Sequence, residues 1–342
     1  MHVPDGFFDV PVSAGAGVVA AAGVAVCLRR ARRELDDRTA PMAGLVAAFI
    51  FAVQMLNFPV AAGTSGHLLG GALAAILVGP ATAVLCVAVV LLVQGFFFAD
   101  GGLTALGVNI TLMAIVTSVV GWTVFRLVTR SAPRSRTAVV VGSFLAALVS
   151  VPVAALAFTA LFWLGGTAPI EVSSVAAAMG GVHVLIGLGE GLITALTVSS
   201  VLAVRPDLVY GARGLAAPLV LRTADGEVPV DRPAPAPAPR LGLRPVLVGG
   251  GLVALLLAGV VSFYASSAPD GLNKVAADKG FNANEKPHDF ESGPLAGYGV
   301  GGIENERLSG GLAGIAGVGI TVLAGGAIFY TVRRRRQDKA VV

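Results

Sequence analysis

Apolar residues run through this chain in long blocks, at roughly 11–28, 41–59, 67–79, 81–98, 103–128, 137–164 and 175–204, with two more at about 245–265 and 310–332. Several reach the ~20 residues that a helix needs to cross a bilayer. The third is short and begins in Gly63-Thr64-Ser65-Gly66, so it reads as a partial or tilted span. After the seventh block the character changes. Residues 206–244 are polar and carry Pro233-Ala234-Pro235-Ala236-Pro237-Ala238-Pro239, a run that favours a semi-rigid polyproline II linker. The pattern predicts an all-α polytopic membrane protein. Its parts are a seven-span helical bundle over 1–204, a cytoplasmic Pro/Ala-rich linker over 205–244, and a C-terminal part over 245–342 whose two spans flank a polar segment, 266–309.

Composition agrees. With 55% hydrophobic and 13% charged residues and a mean hydropathy of +0.82, the chain lies far from soluble domains. The net charge of +4 is split among clusters at 29–38, 126–136, 205–222, 240–244 and 333–336. Basic loops stay on the cytoplasmic side. A walk through the spans from an outside amino terminus puts every cluster inside, segment 266–309 outside and the carboxy terminus inside. The first block has no basic residue before it, and Arg29, Arg30, Arg32 and Arg33 follow it, so it reads as a retained helix rather than a cleaved signal. The expected location is a bacterial cell membrane, with the lipid bilayer as surroundings.

Several functions drop out. Aromatic residues are scarce and do not alternate with the basic clusters, which argues against nucleic acid as a partner. Cys27 and Cys86 lie inside apolar blocks and predict neither a disulfide nor a Cys-based metal site. Every Lys follows Asn, Asp or Glu, so there is no Gly-Lys-Ser/Thr phosphate loop. No His-Glu-x-x-His or Gly-x-Ser-x-Gly pattern occurs either. The chain is expected to be no enzyme and to hold no organic cofactor.

What remains is at the start. Met1 offers its α-amine, His2 its imidazole, and the peptide nitrogen between them a third donor. A metal held by all three closes a five- and a six-membered ring. Only four histidines occur in 342 residues, and His67, in Gly63-Thr64-Ser65-Gly66-His67, falls on the same outer face by the charge-derived topology. His67 is therefore the candidate fourth nitrogen, although a Gly-rich turn for close helix packing is the plainer reading of that stretch.

Asp100, Gln94 and Asn109 sit in or beside another outer turn. They read either as turn and interhelical contacts or as groups that orient a ligating imidazole. His183 and Glu190 are seven residues apart on one helix face, and such groups in a membrane helix face the protein interior. A structural hydrogen-bonded pair and a role in the site are both open. Thr64 and Ser65 join these as positioning or coupling candidates.

Met1-His2-Val3-Pro4-Asp5-Gly6-Phe7 resembles the opening of the CbiM/NikM substrate-binding (S) components of energy-coupling-factor transporters for cobalt and nickel. The stretch from Gly63 to Leu77, Gln94-Gly95, Asp100-Gly101-Gly102 through Asn109, and His183 through Glu190 extend the likeness over essentially all of 1–204. Pro269-Asp270-Gly271-Leu272-Asn273 resembles the Pro-Asp-Gly-Leu-Glu motif of the small accessory subunit, here fused, with Asn273 in place of Glu. Tyr298-Gly299 and Glu304 through Ser309 continue that similarity. The resemblance implies Ni(II) or Co(II) as transported substrate, held by the Met1 amine, the His2 amide and imidazole, and the His67 imidazole. It also implies two partners outside this chain, a transmembrane coupling (T) component and a pair of cytoplasmic ABC ATPases. Four nitrogens in a plane suit Ni(II) or Cu(II), with Co(II) weaker. The alternative is an ATPase-independent secondary transporter or channel for a divalent metal, which would place ionisable groups at mid-membrane on broken helices. Here His183 and Glu190 are the main such groups.

Overall fold

The computed structural model describes residues 1–61, 63–132, 135–216, 220–223, 226–229 and 242–337. Helix α1 (Val10–Glu34) starts where the Asp9 carboxylate accepts from the Val12 N–H at 2.9 Å, with Pro11 in the first turn, and ends among its arginines. Little of its most apolar stretch is buried, as expected of a helix that meets lipid. Helix α2 (Thr39–Gln54) is the reverse, buried along nearly its whole length.

Two spans differ from the sequence reading. The second, read over 41–59, is a helix of 16 residues that stops at Gln54. Pro59 disfavours helical geometry at Phe58, and Phe58–Pro59 (β1) instead pairs antiparallel with Ser65–Gly66 (β2). The third, read over 67–79, is irregular as far as Gly70 and helical only over α3 (Gly71–Val78). Gly70 (φ +88°) and Gly79 (φ +101°) bracket α3 in conformations that glycine adopts readily. Pro80 then opens α4 (Pro80–Val93). The short third span leaves His67 at one end and meets the Glu34 carboxylate of α1 at the other, where Ala81 and Thr82 donate backbone N–H groups to Glu34.

The rest follows the apolar blocks. Helix α4 continues into a π-helical turn, Gln94–Phe98. Helix α5 (Leu106–Asn109) passes through a second π-helical stretch, Ile110–Val116, into α6 (Thr117–Ser131). Helices α7 (Arg136–Gly165) and α8 (Val172–Val204) form an antiparallel pair. Gly187 and Gly191 of α8 let it close on Leu148 and Phe144 of α7.

Residues 206–216 form 3-10 turns rather than an extended linker. Val220–Thr223 (β3) pairs with Gly226–Pro229 (β4) in a hairpin. The Pro/Ala run at 233–239 lies outside the described residues.

Beyond it come α9 (Leu243–Gly259), the short α10 (Gly271–Lys279) and α11 (Glu306–Gln337). Helices α9 and α11 pack on α2. Gly317 lies against Phe51, and Gly325 and Gly326 lie against Gly44, so small residues permit the close approach. Seven helices among the described residues are long and apolar enough to span a membrane; α2 and α3 fall short. The protein is a multi-pass membrane protein.

Basic side chains gather at the end of the bundle away from His67. Arg38 pairs with Asp207 at 3.8 Å, Arg333 pairs with Asp37 at 2.7 Å, and Arg126 and Arg213 lie over Trp122 and Tyr210. Cys27 and Cys86 are free thiols.

Candidate metal-binding site

Residues 1–9 form a strap pressed into the other end of the bundle. Met1, Val3 and Phe7 are buried. Asn109 holds Val3 at both polar atoms: its Oδ1 accepts from the Val3 N–H at 2.8 Å, and its Nδ2 donates to the Val3 carbonyl at 3.0 Å. The Gly102 N–H donates to the same carbonyl at 2.8 Å. The Asp5 carboxylate accepts from the N–H groups of Leu103 and Thr104 and from the Thr104 hydroxyl. Phe7 meets Phe281 edge to face, 5.1 Å between centroids.

This anchoring brings the Met1 amine into hydrogen-bond contact with His67 Nε2. The His2 and His67 rings stack with centroids 5.0 Å apart and planes 18° from parallel. His67 Nδ1 lies 3.0 Å from the Leu68 carbonyl, which can only accept. The proton therefore sits on Nδ1, and the Nε2 lone pair faces Met1. His2 Nε2 lies 3.0 Å from Gln94 Oε1. An amide oxygen likewise only accepts, so His2 donates from Nε2 and keeps its lone pair on Nδ1. That is the atom that closes a six-membered chelate with the His2 peptide nitrogen. Burial pulls the His2 imidazole down to about 4, with Asp100 opposing and the Met1 amine and His67 adding to the effect, so the ring is neutral near pH 7.

The remaining predicted residues take distinct positions. Asp100 Oδ1 lies 3.4 Å from His2 Nδ1, and its Oδ2 accepts from the Tyr298 hydroxyl at 2.5 Å. Burial and the Asp100 carboxylate push the Tyr298 phenol well above its ordinary range. Glu190 accepts from the N–H groups of Leu69 (2.7 Å) and Gly70 (3.1 Å), clamping the backbone just past His67. His183 donates from Nδ1 to the Met179 carbonyl at 2.8 Å. Its ring lies beside Gly271. No hydrogen bond joins His183 to Glu190 among the described residues, so the simple paired reading does not hold. Thr64 closes the turn before His67 through its backbone, and Ser65 Oγ donates to the Ala268 carbonyl at 2.7 Å. Gln94 and Asn109 each stand at the start or edge of a π-helical stretch, a device that re-aims helix side chains and recurs at functional sites.

Two residues of segment 266–309 that the sequence analysis did not assign to the metal also reach the site. Tyr298 stacks on Phe98, 5.0 Å between centroids, and holds Asp100. Asp270 Oδ2 lies 2.8 Å from the Met1 amine and 3.6 Å from His67 Nε2. Burial alone would raise its carboxyl, but the Met1 amine and His67 hold it well below the usual range. Only the motif around Asp270 pointed there, because more than 200 residues separate it from His67 in sequence.

A cavity of about 660 Å³ opens over His2, His67, Asp100, Asp270 and Tyr298. Among the described residues, no three His, Cys, Asp or Glu side chains are placed to hold a metal by themselves. A metal here therefore needs backbone nitrogen, which the Met1 amine and the His2 amide provide.

Comparison with known proteins places the chain in a family. A fused nickel transport protein, NikMN, of Rhodobacter capsulatus is 36% identical over 64% of this chain and 66% of its own length. A cobalt transport protein, CbiM, of Sorangium cellulosum is 35% identical over 61% of this chain and 94% of its own. A truncated transition metal transporter of known structure superposes with a TM-score of 0.53 at 28% identity, covering 59% of this chain and 99% of that one. A PDGLE domain model matches residues 244–334. Residues 2–208 match the CbiM model, described as a cobalt uptake substrate-specific transmembrane region, and the chain belongs to that family.

Proposed function

We propose that this protein is the substrate-specific membrane subunit of an energy-coupling-factor importer, capturing Ni(II) or Co(II) at the extracytoplasmic face. Met1, His2 and His67 hold the ion through four nitrogens. One observation carries the reading: the strap places the Met1 amine against the Nε2 lone pair of His67 with the His2 ring stacked alongside. Residues 66 positions apart in sequence thus meet. Gln94 and the Leu68 carbonyl fix both imidazole tautomers with the ligating lone pairs free. Asn109, Asp5 and Glu190 keep the strap and the His67 turn in place. The arginine-rich end of the bundle then faces the cytoplasm, following the charge rule for membrane loops.

The chain carries no phosphate loop, so ATP-driven uptake depends on a transmembrane coupling component and cytoplasmic ABC ATPases. The test is equilibrium dialysis of the purified protein with Ni(II) and with Co(II). One ion per chain is expected, and none in His2→Ala or His67→Ala. Unchanged stoichiometry and affinity in both variants would remove the site. Uptake in cells that lack the coupling component and ATPases would favour a self-sufficient transporter instead.

A further inference from the structure

Segment 266–309 does more than cover the site. Its Asp270 carboxylate occupies the space beside the proposed donors, 2.8 Å from the Met1 nitrogen and 3.6 Å from His67 Nε2. Borderline divalent ions hold nitrogen and oxygen donors at ~2.0–2.2 Å, so two donors at right angles on one ion lie ~3 Å apart. The two measured separations bracket that value. Asp270 is also fixed rather than adventitious. It caps α10 by accepting from the Asn273 N–H at 2.8 Å. The preceding residues are tied to the turn that carries His67: Ser65 donates its N–H to the Pro269 carbonyl at 2.9 Å and its hydroxyl to Ala268. A side chain at position 271 would collide with Ile186, Val182 and His183, so Gly271 lets this loop descend to the depth of the site. The other nearby carboxylate, Asp100, is engaged by the Tyr298 hydroxyl.

We propose that Asp270 supplies an oxygen donor to the bound ion beside the Met1 and His67 nitrogens, so that the accessory segment completes the metal site. The inference rests on the four-nitrogen reading above. Charge supports it. A divalent ion held by a neutral amine, one deprotonated amide and two neutral imidazoles keeps one positive charge, and an uncompensated charge in a buried site is expensive. The Asp270 carboxylate neutralises it. On loading, the ammonium and amide protons pass to water, the Met1–Asp270 ion pair opens, and a carboxylate lone pair turns to the metal. A fifth, oxygen donor favours Co(II), which binds planar nitrogen sets less readily than Ni(II) does.

The test uses the full chain with Asp270→Asn, which keeps the side-chain shape and the N-cap of α10. His67→Ala is run beside it. Competition binding with a chelator and X-ray absorption at the Co and Ni edges are measured on each. The expected result for Asp270→Asn is Co(II) affinity down by about tenfold or more, a smaller loss for Ni(II), and one fewer first-shell donor, with metal-free melting showing a folded protein. Unchanged or tighter Co(II) binding with an unchanged donor count would overturn the assignment of Asp270 while His67→Ala still abolishes binding. If His67→Ala also binds normally, the four-nitrogen site itself is wrong. If Asp270→Asn does not fold, Ser65→Ala, which loosens the Asp270 loop without touching a donor, is expected to weaken Co(II) in the same direction; no change there would also overturn it.

Discussion

Replacing Asn109 with Leu tests whether the strap, and not only its ligands, sets metal affinity. The substitution keeps roughly the same volume and removes both hydrogen bonds to Val3. The Val3 carbonyl keeps the Gly102 N–H at 2.8 Å, so it stays satisfied. The Val3 N–H is left buried without an acceptor. An orphaned buried donor costs about 1–3 kcal/mol, or roughly 5- to 150-fold in an equilibrium constant. The loss falls on residues 1–4 alone, because the Asp5 hydrogen bonds and the Phe7–Phe281 contact anchor the strap further along. A metal binds only the docked strap, so the apparent dissociation constant rises by the inverse of the docked fraction. Chelator competition should therefore show Ni(II) affinity weakened within that range, while saturating metal still loads one ion per chain. Affinity within about twofold of the parent protein, with the variant melting normally, would refute the coupling of strap docking to binding.

Adding one residue before Met1, or acetylating its amine, moves or removes a donor nitrogen and should abolish binding in dialysis while the protein still melts cooperatively as a folded chain; retained binding would count against the chelate. Glu190→Gln leaves one acceptor oxygen for two N–H groups, so the turn after His67 loses a hydrogen bond and melting should show a loss of about 1–3 kcal/mol with weaker metal binding; equal stability would mean that the clamp is idle. Gly317→Leu drives a side chain into Phe51 of α2, and overpacking of that kind typically costs about 1–3 kcal/mol. Separation of α11 from α2 should then expose segment 266–309 to added protease, and unchanged protection would show that the glycine contact does not hold the accessory helices in place.

The fold and the site were legible in the sequence to different depths, for physical reasons. Long apolar blocks announce membrane helices directly, because crossing a bilayer fixes both length and composition. The same rule overestimates the length of α2, since a helix sheathed by other helices does not need to span lipid by itself, while the short third block was legible as a partial span. Pro59 and the Gly79-Pro80 pair were visible as breaks, but an apolar block does not say on which side of a break the chain becomes extended. Met1, His2 and His67 could be connected because loop charge assigned them to one face and each carries a donor atom. Glu190 was visible as a costly group in a membrane helix, yet its partners are backbone N–H groups that no sequence pattern marks. Asp270 was the deepest gap. Its approach depends on α9 and α11 packing on α2 and on glycine at 271, none of which is encoded near Met1 or His67. Where the accessory segment is fused, its position over the site follows from helix packing in the membrane together with its hydrogen bonds to Ser65 beside His67. Weakening that packing should therefore disturb loading even when every ligand is intact.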